Sequence, residues 1–344
     1  FMYSKASPQT TILPVLTQRK NFELRTQSQV IKVNLDSTGK KATGVTYINA
    51  QGQEVEQPAD LVILSAFQLH NVRLLLLSGI GKPYDPVTGE GVVGKNYAYQ
   101  MNSGVSLFYD QNTHFNPFIG AGAAGTVIDD LNGENFDHAD LGFIGGAYIS
   151  ATRTGGRPIQ QMMLPPGTPA WGGGWKQGIK DNYPHSMSIG SEGSVMPYRD
   201  CYLDLDPTYK DGYGLPLLRM TFDWKDNEIK MTQHITSKMV NIANAMKPKQ
   251  IAVSVKKTGD HYDVRPYQST HTTGGAITGD NPATSVVNKY LQCWDVPNVF
   301  VTGACAFPQN LAYNPTGIVG ALAYYSAEAI RTQYLKNPGP LVQA

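Results

Sequence analysis

The sequence predicts a mixed α/β protein with two unlike parts, an α/β part and an α+β part that contains an antiparallel sheet. Two short runs, Leu61–Leu64 and Val299–Thr302, are almost wholly apolar, which is typical of parallel strands covered on both faces. The region between Gly104 and Tyr267 is instead rich in Gly, Asn, Tyr and Trp, and short alternating segments such as Leu217–Phe222 predict strands there. The 35 glycines and 22 prolines argue against a helical bundle.

The first part of the chain is expected to begin with short strands. Alternation of apolar and polar residues within Phe22–Val33 predicts a pair of strands. Asp36–Gly39 then predicts a turn, because Gly tolerates positive φ and Asp bonds its own backbone. Further short strands are expected at Val45–Ile48 and around Val55, before the apolar run at Leu61–Leu64.

Three segments have helical spacing. Leu69–Leu77 predicts a helix that ends at the glycine-rich Ser78–Gly81. Asn227–Met246 predicts a longer helix, which a proline two residues later brings to an end. Thr316–Leu335 follows Pro315 and predicts a third helix near the end of the chain.

The composition excludes several classes of protein. Charged residues make up 16% of the 344 and the net charge is +1, so the chain has no basic field for nucleic acid. The three cysteines are scattered, which excludes a disulfide scaffold and predicts no metal site in this chain. No apolar stretch approaches the ~18 residues of a membrane span. We therefore expect a globular enzyme.

One literal dinucleotide fingerprint, Gly120–Gly125, is interpreted as a chance match. Such a motif works only when a buried strand leads into it and a helix N-terminus receives the pyrophosphate. Here only Phe118–Ile119 precedes it as a strand, and Thr126–Asp130 is a poor helix start. A serine hydrolase is also disfavoured, because Gly190–Gly193 is not a Gly-x-Ser-x-Gly elbow.

Three distant segments together resemble the glucose–methanol–choline (GMC) family of flavin oxidoreductases. They are Asp60–Gly81, Gly91–Gln100 and Ser269–Ile330, in that order. Two shorter segments, Tyr290–Asn310 and Lys336–Val342, are similar to a subgroup of this family. The subgroup comprises the flavoprotein subunits of bacterial membrane-bound gluconate, ketogluconate, sorbitol and fructose dehydrogenases.

The resemblance implies an architecture. Family members open with a strand, a Gly-rich turn and a helix that bind the ADP half of FAD, and nothing before Phe22 matches these parts. The resemblance thus implies that about two hundred N-terminal residues of a Rossmann-like FAD-binding domain are absent, so that domain is incomplete here. On this interpretation residues 1–103 are its second part, residues 104–268 form an α+β substrate-binding domain, and residues 269–344 return to the FAD-binding domain.

The resemblance also implies two active-site residues. Oxidation of an alcohol requires a base for the hydroxyl proton and an acceptor for the hydride. His271, directly before Thr272–Gly275, matches the family's base; the alternative is a structural histidine. Asn314, directly before Pro315, matches the family's second residue, whose amide would hydrogen-bond the substrate oxygen. The alternative for Asn314 is the N-cap of the last helix, and both roles are compatible.

Cofactor-binding residues follow from the same resemblance. The N-terminus of the last helix carries partial positive charge and free N–H groups, and in the family it faces the pyrimidine edge of the flavin. Val30 is implied near the adenine or ribose, with packing in the core as an equal alternative. The remaining cofactor-side candidates are Gly303, Ala304, Pro315, Thr316 and Gly317.

The implied activity is oxidation of an alcohol group of a sugar acid, a sugar or a polyol by hydride transfer to flavin N5, with gluconate-like acids slightly preferred over fructose and sorbitol. The subgroup implies a cytochrome c subunit that carries haem and takes the electrons, and a small third subunit. The complex would lie on the periplasmic side of the bacterial cytoplasmic membrane, held there through its partner. Some relatives carry an iron–sulfur cluster, whose cysteines would precede Phe1. Two alternatives stay open: a soluble oxidase of the family that uses oxygen, and a non-catalytic subunit or binding module.

Overall fold

The computed structural model describes residues 6–116, 125–152, 164–265 and 270–343. The fingerprint-like stretch Gly120–Gly125 lies outside the described residues except for its last glycine, so its interpretation as a chance match stays a prediction. Within the described ranges, no helix combines the length and the apolar character needed to cross a membrane.

Along the described chain, runs of three or four strands are separated by α-helices. The strands are β1 (Gln29–Leu35), β2 (Ala42–Ile48), β3 (Glu54–Pro58), β4 (Val62–Leu64), β5 (Ala98–Tyr99), β6 (Met101–Phe108), β7 (Gly125–Ile128), β8 (Ala147–Thr152), β9 (Ser186–Gly193), β10 (Tyr202–Lys210), β11 (Pro216–Thr221), β12 (Gln250–Ser254), β13 (Thr272–Thr273) and β14 (Val299–Val301). The α-helices are α1 (Leu13–Leu16), α2 (Gln68–Ser78), α3 (Gly172–Asn182), α4 (Asp226–Ala245) and α5 (Thr316–Ala329). Short 3₁₀ or π turns occur at Pro8–Ile12, Ala139–Leu141, Tyr183–His185, Ala304–Ala306 and Ile330–Tyr334.

A three-stranded antiparallel sheet, in the order β1-β2-β3, packs against α2. The backbone N–H of Val33 on β1 donates to the hydroxyl of Ser78 at the end of α2, at 2.9 Å. Gly79 then ends the helix with φ 66°, a left-handed conformation that glycine adopts without strain. The predicted helix and its glycine stop are confirmed.

Strands β4 and β14 pair in parallel although they lie 237 positions apart in the chain. Val62 pairs with Val299, and Leu64 pairs with Val301. The prediction of two parallel apolar strands is therefore confirmed. Ile63 is 49% exposed, so the prediction that both faces of β4 are covered is wrong at this residue.

The middle of the chain forms a five-stranded sheet in the order β12-β6-β9-β8-β7, antiparallel throughout. Helix α4 packs across this sheet and, as predicted, covers most of Asn227–Met246. Its buried Met231, Ile235 and Met239 form the second apolar core with the sheet residues. Spacing of four residues places these side chains on one face of the helix, which explains the packing.

The first apolar core combines residues from both ends of the chain, such as Val33, Leu75 and Val301, with Leu203 from the middle. The mixed α/β fold class with antiparallel sheets is confirmed. The predicted boundaries between residues 103 and 104 and between residues 268 and 269 stay predictions.

The predicted pair of strands within Phe22–Val33 is wrong in its first half. Strand β1 begins only at Gln29, where its pairing with β2 begins. Before that point Arg25 binds Gln57 on β3 at 2.5 Å through its side chain, without a backbone ladder. Alternation alone could not show this, because a strand also requires a partner edge for its backbone groups.

Candidate active site

A cavity of about 400 Å³ opens beyond the carboxyl ends of β4 and β14, beside the start of α5. In open α/β sheets, ligands bind at this end of parallel strands. Five residues selected from the sequence line it: His271, Gly303, Ala304, Pro315 and Thr316. The fold therefore brings together side chains and backbone from two separated parts of the C-terminal region.

Asn71 on α2 ties together the chain segments that follow β4 and β14. Its Nδ2 donates to the carbonyl of Thr302 at 2.8 Å, and its Oδ1 accepts from the N–H of Ala66 at 2.9 Å. The hydroxyls of Ser65 and Thr302 also bond each other at 2.8 Å. Gly303 follows with φ 112°, which a residue with a Cβ adopts only under strain. These contacts fix the backbone that lines the cavity.

Helix α5 begins beside the cavity, and its first N–H groups lie at this end. Thr316 is its first residue, and no side chain of the described residues caps it. The first-turn N–H groups therefore have no intrahelical partner and carry partial positive charge. The alternative interpretation of Asn314 as the N-cap is wrong, because Pro315 holds that position and the Asn314 Nδ2 instead donates to the hydroxyl of Tyr148 at 2.9 Å.

His271 is held in an unusual backbone conformation at the cavity wall. Its φ of 63° lies in the left-handed region, which residues other than glycine visit uncommonly. The next two residues form β13, and Gly274 follows with φ 82°. The Nδ2 of Asn310 donates to the carbonyl of His271 at 2.8 Å. The backbone is thus restrained around this residue, and its side chain is only 16% exposed.

Two acceptor groups face one nitrogen of the His271 ring. Nδ1 hydrogen-bonds Oε1 of Gln100, a fully buried residue between β5 and β6. Oε2 of Glu192 on β9 lies 3.7 Å from the same nitrogen. No described residue hydrogen-bonds the other ring nitrogen, Nε2. Nδ1 is therefore engaged by the protein, while Nε2 is available for chemistry.

Glu192 and Tyr148 occupy opposed positions on β9 and β8. Within the described chain, Oε2 of Glu192 is buried and has no hydrogen-bond partner. Burial and the neighbouring Glu192 carboxylate raise the pKa of the Tyr148 hydroxyl, so this hydroxyl stays protonated. The Tyr148 ring stacks on Tyr313 with centroids 5.1 Å apart, directly before Asn314. The middle sheet thus contacts the segments of both predicted active-site residues.

Two predicted cofactor residues do not line this cavity. Val30 lies on β1 and is 36% exposed. Gly317 lies in the first turn of α5, where an added Cβ would meet nothing within 4 Å. The roles assigned to both residues stay predictions.

Sequence reasoning did not assign roles to Gln100, Glu192 or Tyr148. Gln100 is the last residue of Gly91–Gln100, one of the segments that carry the family resemblance. The resemblance does not indicate its contact with His271. Glu192 is the single charged residue of the half-buried strand β9. A charge in such a strand is a usable signal, because buried charges are rare without a partner or a function.

Comparison with protein families identifies the chain. Two family models, both described as GMC oxidoreductase, match residues 3–102 and 197–323. The chain belongs to the GMC oxidoreductase family. The resemblance inferred from the sequence is confirmed. Both matched regions contribute residues to the first apolar core.

This GMC oxidoreductase has several curated relatives. It is 58% identical over its whole length to the gluconate 2-dehydrogenase flavoprotein of Pantoea cypripedii, of which it covers 56%. It is 29% identical over 91% of its length to the 2-methyl-1,2-propanediol dehydrogenase of Mycolicibacterium austroafricanum, of which it covers 55%. It is 23% identical over 84% of its length to the fructose dehydrogenase large subunit of Gluconobacter japonicus, of which it covers 50%. The chain spans about half the length of these relatives.

Solved structures share the fold. A formate oxidase of Aspergillus oryzae RIB40 aligns with 90% of this GMC oxidoreductase and 60% of its own chain, with a TM-score of 0.60 and 16% identity. This likeness supports the GMC fold and says nothing of the substrate.

The cavity suits the flavin ring of FAD, the cofactor that the GMC family implies. Gln68 lines it, and the Oε1 of this residue is buried without a partner in the described chain, which suits a ring N–H donor. The N–H groups at the start of α5 suit the carbonyl edge of a flavin. At Gly303 an added Cβ would meet only the Asn71 amide, at 3.8 Å, and the missing side chain leaves room for a planar ring. The residues present thus supply an acceptor, donors and space of the required kind.

Proposed function

We propose that this chain forms part of an FAD-dependent dehydrogenase that oxidises an alcohol group of a sugar acid, a sugar or a polyol. The observation that carries the proposal is the imidazole of His271 at the wall of a cavity that suits a flavin ring. Its Nδ1 is engaged, and its Nε2 has no partner among the described residues. FAD, when bound, supplies the acceptor for the hydride. The protein must then remove a proton and hold an oxygen.

His271 takes the hydroxyl proton of the substrate at Nε2. Its ring is largely buried, so the proton transfer takes place away from bulk water. Asn314 holds the substrate oxygen: its amide has two N–H donors, and among the described residues only Tyr148 accepts from it. The second donor can therefore stabilise the negative charge that develops on the oxygen.

Gluconate-like acids are the preferred substrate class, followed by fructose and sorbitol. Support comes from the 58% identity to a gluconate 2-dehydrogenase flavoprotein and the more distant likeness to a fructose dehydrogenase large subunit. Both names denote oxidation of polyhydroxy compounds.

The proposal includes partner subunits. A cytochrome c subunit would take the electrons on its haem, a small third subunit would complete a heterotrimer, and the complex would lie on the periplasmic side of the cytoplasmic membrane. The chain would reach the membrane through its partner. The name of the fructose dehydrogenase relative, a large subunit, supports such partners. Any iron–sulfur cluster would be held by residues outside this chain.

Absorbance spectroscopy of the native full-length complex tests the proposal. Gluconate, fructose and sorbitol are added in turn under anaerobic conditions. Loss of the flavin band together with growth of reduced cytochrome c bands is expected with one of them. Flavin bleaching in the absence of any haem would favour a soluble oxidase that uses oxygen. A complete protein without flavin would overturn the enzyme assignment and leave a binding module.

A further inference from the structure

Gln100 contacts both segments that carry the proposed active-site residues. Its side chain is fully buried. Its Nε2 donates to the carbonyls of Leu311 and Tyr313, at 3.0 and 3.3 Å, just before Asn314. Its Oε1 accepts from Nδ1 of His271. One amide therefore joins the base to the loop that presents the second residue.

The orientation of this amide determines where the histidine proton lies. The carbonyl oxygens of Leu311 and Tyr313 can only accept, so the NH₂ end of Gln100 must face them. The amide oxygen then faces His271, and it too can only accept. Neutral His271 must therefore carry its proton on Nδ1, which leaves the lone pair on Nε2. A base with its lone pair on Nε2 is what the proposed reaction requires.

Glu192 does not replace Gln100 in this role. Its Oε2 lies 3.7 Å from Nδ1, beyond the ~3.2 Å at which such hydrogen bonds are usually made. Glu192 thus contributes charge, while Gln100 makes the directional bond.

We propose that Gln100 is a positioning residue that fixes the Nδ1–H tautomer of His271 and holds the Leu311–Asn314 loop in register with it. The inference deepens the proposed oxidation and rests on it. Gln100 acts through His271 and through the loop, and it need not contact the substrate. Its removal should therefore slow the chemical step more than it weakens substrate binding.

Three variants of the full-length holoenzyme separate this role from general destabilisation. Gln100→Leu removes all three hydrogen bonds. Gln100→His restores one acceptor and one donor, because a neutral imidazole carries both. Gln292→Leu is the matched control: Gln292 is 1% exposed, donates to the carbonyls of Pro297 and Gly339, accepts from the N–H of Leu341, and does not line the cavity.

We expect Gln100→Leu to lower kcat about 10- to 100-fold, within the range of general base catalysis, with KM changed less than about threefold. Gln100→His should recover most of kcat, and Gln292→Leu should retain it. An unchanged kcat in Gln100→Leu would overturn the inference. A kcat in Gln100→His as low as in Gln100→Leu would overturn it as well.

Nitrogen NMR of isotope-labelled histidine gives a readout that needs no turnover. The His271 signals are assigned by their loss in His271→Asn. Wild type should show a protonated Nδ1 and a bare Nε2, and Gln100→Leu should show a mixture of both tautomers. If the uncharged His271 ring of wild type carries its proton on Nε2, the inference is overturned. If wild type oxidises none of the three substrates, the proposed function fails, whereas this tautomer measurement still stands.

Discussion

Replacing Glu192 by Gln removes one negative charge beside His271 with little change of shape. The Oε2–Nδ1 distance is 3.7 Å, and the side chains are 24% and 16% exposed, so solvent screens this pair only in part. Unit charges about 4 Å apart interact with about 4 kcal/mol at an effective dielectric constant of ~20. If half of the imidazolium charge has developed in the transition state, about 2 kcal/mol is lost, which is about 30-fold in rate.

The assay is rapid-mixing measurement of flavin reduction in the full-length holoenzyme at saturating and at limiting substrate. Glu56→Gln, an exposed residue on β3, is the control for the same change of net charge. We expect the limiting rate of flavin reduction to fall about 30-fold in Glu192→Gln and to stay unchanged in Glu56→Gln. An unchanged rate would refute the electrostatic reasoning. A loss confined to the apparent affinity would instead assign Glu192 to substrate binding.

His271→Asn should lower the reduction rate by at least about 100-fold while circular dichroism stays unchanged, because Asn tolerates the left-handed φ. Gly274→Ala should lower the melting temperature far more than Gly52→Ala: both glycines have positive φ, but only at Gly274 would the new Cβ lie 1.9 Å from a backbone oxygen. Asp211→Asn should lower the free energy of urea unfolding by about 3 kcal/mol, because it removes the carboxylate charge that pairs with the largely buried Arg73 and leaves this guanidinium with backbone carbonyl partners. Burial raises the pKa of Asp211, but the hydrogen bonds from Arg73 and from backbone N–H groups outweigh it and hold this pKa below its usual range. The stabilisation is therefore complete above the ordinary carboxyl pKa of about 4 and is lost as the pH falls below it. The free energies of unfolding of wild type and Asp211→Asn should therefore converge in acid.

Local sequence patterns predicted much of the fold. The apolar runs at β4 and β14 and the spacing of α2 and α4 were read correctly because each depends on residues close together in the chain. The start of β1 was missed, because a strand begins only where a partner edge is available. The exposure of Ile63 was missed for a related reason, since the run of apolar residues does not show what covers each face.

The surroundings of His271 could not be predicted from local pattern. Gln100 lies 171 positions away in the chain, and Glu192 comes from the middle sheet. Their meeting depends on how the antiparallel sheet packs beside β5 and β13, which the sequence spacing does not encode. The left-handed φ of His271 also has no local signature, because the conformation is imposed by the surrounding chain.

The parallel pairing of β4 with β14 has a consequence for biosynthesis. At ~5–20 residues per second, a ribosome needs roughly 10 to 50 s to travel from the codon for Val62 to that for Val299, since 237 positions separate them. During that interval the nascent β4 has no partner from β14, and its apolar residues stay open to other chains. A translation product that stops before Val299 would therefore keep this edge open and would be a preferred client of chaperones and proteases.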